Sequence, residues 1–112
     1  MKIERGEVLR LNLNPTLGRE QSGNARPCVV LSNSDYNTER QGIVIITPVT
    51  STIRPDIKMM IPIPSGFKAQ GSVIAEQIRT VDLSERWWRT TGEVLPKAFI
   101  DRIVDTFGLI VR

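Results

Sequence analysis

A chain of 112 residues, 40% of them hydrophobic, with 15 Lys and Arg against 12 Asp and Glu, has the length and core-forming content of one domain spanning 1–112. One cysteine, Cys28, excludes an internal disulfide and suggests no zinc cluster, and the lack of histidine removes the usual general base near neutral pH. No run approaches the roughly 18 apolar residues of a membrane-spanning helix, and no signal-peptide core follows Met1 to Arg5, so a soluble cytoplasmic protein is expected. The net charge of +3 is compatible with a nucleic-acid partner and equally with many other roles.

Leu9, Leu11 and Leu13 alternate with Arg10 and Asn12, the period of a strand with one buried face. A polar loop then leads to a Val-rich strand near Cys28 to Ser32, where Cys28 reads as core filling. Ser34 to Asn37 reads as a turn or short helical excursion, and Ile43 to Ile46 as another buried strand. From Thr50 to Lys58 the chain is polar and favours a loop. Met59 to Ile63 resumes an apolar pattern, but Pro62 and Pro64 donate no hydrogen bond, which places this strand at an edge or cuts it short. Gly66 and Gly71 frame a turn before a strand at Ser72 to Glu76, and Arg89 to Val94 gives a final strand of poor periodicity. Pro96 suits an early helical position and Gly108 a terminus, with Ile100, Ile103, Val104 and Phe107 forming the core-facing stripe of a C-terminal helix. Adjacent Trp87 and Trp88 on an extended element point oppositely, so one fills the core while the other meets solvent, a second subunit or a peptide.

The segment Asn14 to Leu31 collects two carboxamides, a carboxylate and two guanidiniums between extended stretches. On composition alone it is a polar hairpin loop. Its pattern of Asn14-Pro15, Gly18-x-Glu20-Gln21-x-Gly23 and Arg26-Pro27, followed by Val29-Val30-Leu31-Ser32, resembles the signature of the MazF/PemK family of toxin endoribonucleases. Pro48-Val49-Thr50-Ser51 resembles that family's second block, and Gly71 to Asp82 its third. Two residues, Asn24 and Ala25, separate Gly23 from Arg26 where many relatives have one.

The resemblance implies a mostly β fold with a C-terminal helix, an SH3-like barrel of the MazF/CcdB/Kid toxin type. It implies that Arg26 is catalytic and contacts the scissile phosphate, a role that suits a rigid fork of five donors. Thr50 is the matching hydroxyl donor, with Thr47 and Ser51 as neighbouring alternatives and local turn formation as its structural reading. Glu20 is a candidate acid or base, or the carboxylate that neutralises Arg26. RNA contacts are expected from Arg19, Gln21, Asn24, Ser51, Arg54, Lys58, Gln77, Arg79 and Thr80, the cations on phosphates and the carboxamides on exposed bases of single strands.

The implied activity is sequence-specific, metal-independent cleavage of single-stranded RNA to a 2′,3′-cyclic phosphate and a free 5′-hydroxyl, with no cofactor. The implied partners are a cognate antitoxin and a second copy of the chain, with Met59, Met60 and the tryptophan pair as candidate dimer contacts. The rival reading is a toxin-fold protein without catalysis that binds DNA gyrase or RNA.

Overall fold

A computed structural model describes residues 2–14, 25–52, 56 and 59–112. The elements are β1 (Glu7–Leu11), β2 (Arg26–Val30), α1 (Ser34–Glu39), β3 (Ile43–Thr50), β4 (Met60–Pro62), β5 (Ser72–Ile74), β6 (Arg79–Asp82), β7 (Trp88–Val94) and α2 (Lys97–Val111). Single 3₁₀ turns at Ala75–Gln77 and Leu83–Glu85 follow β5 and β6.

All ladders are antiparallel, and the main path of the sheet runs β4-β5-β3-β2-β1-β7. β3 is shared along one edge: its first half pairs with β6, Ile43 to Asp82 through Ile46 to Arg79, and its end pairs with β5, Val49 to Val73 and Thr50 to Ser72. The expected SH3-like barrel is therefore not present. Among the described residues no ladder joins β7 to β4 or β6, and the sheet stays open. The physical reason lies at its ends. β4 is three residues long and closes on Pro62, which donates nothing to a further strand. The stretch Arg89 to Gly92 of β7 is exposed, so that edge gains no apolar burial from closure.

Both faces of the sheet are covered, which explains why apolar residues occur at both parities along its central strands. Val8, Val29, Val49, Val73 and Ile61 join Leu95, Phe99, Ile100 and Ile103 in one core under α2. Leu9, Leu11, Cys28, Val30, Val44 and Ile46 form a second core with Ile3, Val81 and Leu83 on the other face. Each fully buried aliphatic side chain stabilises the fold by about 1.5–3 kcal/mol relative to exposure, so both cores hold substantial driving force. Cys28 is the core filler expected of it: it is fully buried, and burial pushes its thiol up to about 12.

Pro96 caps α2 with φ of −63°, but Gly108 does not end the helix. Gly108 lacks the positive φ of a terminating glycine, and its carbonyl accepts the Arg112 N–H at 3.2 Å, so the helix continues through it. The expected stripe holds at three of its four positions: Ile100 and Ile103 are buried and Phe107 packs beside them, while Phe99 joins the core and Val104 is 41% exposed. Trp88 packs on the Leu9 and Leu11 core, while Trp87 places its ring 5.8 Å from the Arg89 guanidinium. Neither indole is fully buried.

Candidate functional site

The ladder between β2 and β3 sets the site. Its register pairs Val30 with Ile46, Val29 with Thr47 and Cys28 with Pro48, and carried to the strand ends it sets Arg26 across from Thr50. Strand alternation then puts both side chains on the face that carries Cys28. Arg26 is exposed, and its Nη2 donates to the Val49 carbonyl at 3.1 Å, leaving the rest of the guanidinium fork directed elsewhere. The half-buried Thr50 uses its Oγ1 to accept the Thr52 N–H at 3.1 Å. Thr50 is thus a turn former, and a hydroxyl that accepts there keeps its own proton for an outside acceptor. Ser51 follows it and is exposed.

Gly71 makes this position of Thr50 possible. A Cβ at Gly71 would lie 2.2 Å from the Thr50 carbonyl oxygen, and its φ of +117° belongs to glycine. The turn that precedes β5 is therefore pressed against the backbone that presents the Thr50 hydroxyl.

A second pair of arginines meets the same face. Arg79 shares the parity of the buried Val81, and its Nη2 donates to the Leu13 carbonyl at 3.4 Å. Arg86, which the sequence reading did not single out, donates from Nη1 to the carbonyls of Asn12 and Leu13 at 3.0 and 3.2 Å, and from Nε to the Asp82 carbonyl at 3.1 Å. Burial, and next the like charge of Arg79, push the Arg86 guanidinium below its ordinary value, against the opposing charges of Glu85 and Asp82. Arg26, Arg79 and Arg86 all act electrostatically on the Cys28 thiol beneath them. Because that thiol stays protonated, it offers neither a counter-charge nor a nucleophile. The result is a group of three guanidiniums with Thr50 at its edge, in which Arg86 is committed to backbone carbonyls and the exposed Arg26 and Arg79 are suited to an anion with several oxygens.

Not every expected residue joins this group. Thr80 has the opposite parity to Arg79 and pairs with Ile45, so it faces the other side of the sheet. Thr47 is fully buried, which removes it as an alternative to Thr50. Gln77 is exposed at the end of the 3₁₀ turn two residues before Arg79. Arg19, Glu20, Gln21, Asn24, Arg54 and Lys58 lie outside the described residues. Arg86 carried one sequence signal: a basic residue four positions after Asp82, just past a short turn.

Among the described residues, no group of three or more Cys, Asp or Glu side chains is placed to hold a metal ion. No described helix is long and apolar enough to cross a membrane. Two concavities, one lined by Leu31, Tyr36, Ile45 and Val104 and the other by Val94, Leu95 and Ile100, share Arg5 and lie on the α2 side. They are on the opposite face from the arginine group.

Residues 4–111 match the model of a family described as PemK-like, MazF-like toxin of type II toxin-antitoxin system. The chain is 33% identical over 99 residues to the endoribonuclease MazF9 of Mycobacterium tuberculosis, covering 82% of each chain. It is 26% identical over 112 residues to the endoribonuclease PemK of Escherichia coli, covering 97% of this chain and 82% of that one. The fold matches a crystal structure of MazF from Deinococcus radiodurans with a TM-score of 0.81 at 26% identity, over 99% of this chain and 97% of that one. A MazE-MazF crystal structure from the same organism gives a TM-score of 0.80 at 22% identity, over 99% and 96%.

Proposed function

The chain belongs to the MazF/PemK family of toxin endoribonucleases, and from that premise we propose that it cleaves single-stranded RNA, sequence-specifically and without a metal, at the face bearing Arg26 and Thr50. The observation that carries this reading is the β2–β3 register, which brings the arginine of one family-like block opposite the threonine of another. In the reaction, the ribose 2′-hydroxyl passes its proton to the Glu20 carboxylate as its oxygen attacks the adjacent phosphorus in line. The bond from phosphorus to the 5′-oxygen breaks, and that oxygen takes up a proton as it leaves. The products are a 2′,3′-cyclic phosphate and a free 5′-hydroxyl.

Arg26 stabilises negative charge as it develops on the non-bridging oxygens, with Thr50 donating a further hydrogen bond to the same group. Held by Val49, the guanidinium needs little reorganisation at the moment of reaction. Glu20 is assigned to proton transfer. Arg19, Gln21, Asn24, Ser51, Arg54, Lys58, Gln77, Arg79 and Thr80 are assigned to RNA contacts, with Thr80 reaching only RNA that wraps past the sheet edge. The whole chain acts as one domain in the cytoplasm.

The partners we assign are a cognate antitoxin, as in the MazE-MazF complexes it resembles in fold, and a second copy of the chain. Leu109 and Val111, 69% and 62% exposed at the end of α2, supply apolar surface for that second copy. Incubation of the purified protein with a diverse single-stranded RNA in EDTA, followed by identification of both new termini, tests the chemistry. Cyclic phosphate and 5′-hydroxyl ends are expected. Cleavage no greater than that of a folded Arg26→Ala control would reject the reading.

A further inference from the structure

The Leu13 carbonyl is shared. It accepts from Arg86 Nη1 at 3.2 Å and from Arg79 Nη2 at 3.4 Å, so two guanidiniums of like charge rest on one backbone oxygen. Of the two, Arg86 is the anchored one. It is half-buried and reaches three carbonyls from two places in the chain, Asn12 and Leu13 just past β1 and Asp82 at the end of β6. Arg79 is exposed and has Leu13 as its one hydrogen-bond acceptor among the described residues. The Asn12 N–H donates in turn to the Trp87 carbonyl at 3.1 Å, so the residues next to Arg86 in sequence hold the same stretch a second time.

We propose that Arg86 is a positioning residue for RNA cleavage: it holds the segment after β1 against the end of β6 and thereby fixes the oxygen on which Arg79 is aimed. It acts through Arg79 and Leu13 and does not itself contact the RNA. This rests on the reading of the chain as an endoribonuclease. A lysine at 86 would keep the charge but present a single ammonium where a planar fork spans three carbonyls. The fork's geometry, and not its charge, is what the proposal needs.

Arg86→Lys and Arg86→Gln separate the roles when single-turnover cleavage, RNA affinity against salt and thermal unfolding are measured together. The expected result for Arg86→Lys is a rate about ten- to a hundredfold lower, the loss that misplacement of a site by about 1 Å produces. RNA affinity falls no further than in Arg79→Ala, because the contact misplaced is that of Arg79. Adding Arg79→Ala to Arg86→Lys slows cleavage no further than Arg79→Ala alone, because both changes remove one arrangement. In the Arg79→Ala background, a salt slope made shallower by a further ~0.7 on adding Arg86→Gln, the signature of a second lost phosphate contact on a single strand, would overturn the proposal by making Arg86 a direct contact. So would an unchanged rate, with or without a lower unfolding temperature. If Arg86→Lys does not fold, the same criteria apply to Arg86→Gln. Cleavage by the unaltered protein that is lost in Arg26→Ala shows that the endoribonuclease reading stands independently of this result, and no cleavage by the unaltered protein overturns both.

Discussion

The two faces of the sheet come from the same strands but end differently. Under α2, apolar residues continue to the rim, and the tie across it is an ion pair: Arg5 donates to Asp101 at 3.0 Å, and Lys97 holds the same carboxylate from the next turn at 2.6 Å. On the opposite face, the core of Leu9, Cys28 and Ile46 gives way to Arg26, Arg79 and Arg86, whose acceptors are backbone carbonyls. Among the described residues, the guanidinium of one face meets a carboxylate and those of the other meet carbonyls. Under the proposed function, the second face is the one that meets RNA phosphate.

The difference breaks most sharply at Arg26. Arg26→Ala is expected to lower the single-turnover cleavage rate by about a hundred- to a thousandfold, the usual cost of one donor to developing negative charge, with the unfolding midpoint nearly unchanged because the side chain is exposed. Ile103→Ala does the reverse. It empties a fully buried position under α2 and should cost about 2–5 kcal/mol in urea unfolding, while the folded fraction cleaves at the unaltered rate. Gly71→Ala couples the two properties. The added Cβ meets the Thr50 carbonyl, so both a stability loss of about 1–3 kcal/mol and slower cleavage are expected, with RNA affinity retained.

The smallest effect belongs to the ion pair. Asp101 is held below its ordinary value, first by its hydrogen bond from Lys97 and further by the charges of Lys97 and Arg5. A carboxyl depressed in the folded state contributes stability above its unfolded pKa of about 3.9, and that contribution is lost as pH falls through the lower folded value. Asp101→Asn should therefore lower the unfolding midpoint slightly near neutrality, with the two profiles converging as pH falls below the folded value and the acid side correspondingly flatter, as measured by thermal melts across pH.

Much of this contrast was legible in the sequence. The alternation of Leu9 and Leu11 located β1, and the prolines placed β4 at an edge; Arg26 and Thr50, to which the three family-like blocks point, stand as the proposed pair. Closure of the sheet was not legible, because strand periodicity gives faces and not partners. β6 escaped notice because its four residues hold a single buried side chain, Val81. Arg86 escaped because its partners are carbonyls distant in sequence, Asn12 and Leu13. In the stripe of α2 only Val104 departs from expectation, because Phe99, at the first turn, already faces the core in its place. Thr80 was drawn in by its block, and only strand parity separates it from Arg79.

The central claim is that Arg26 and Thr50 act on one phosphoryl group. Single-turnover cleavage by Arg26→Ala, Thr50→Ala and the double variant tests it most directly. Two donors to the same developing charge should be strongly coupled, with the double variant within about threefold of Arg26→Ala alone. Losses that simply multiply, or near-normal cleavage by folded Arg26→Ala, would contradict a shared site.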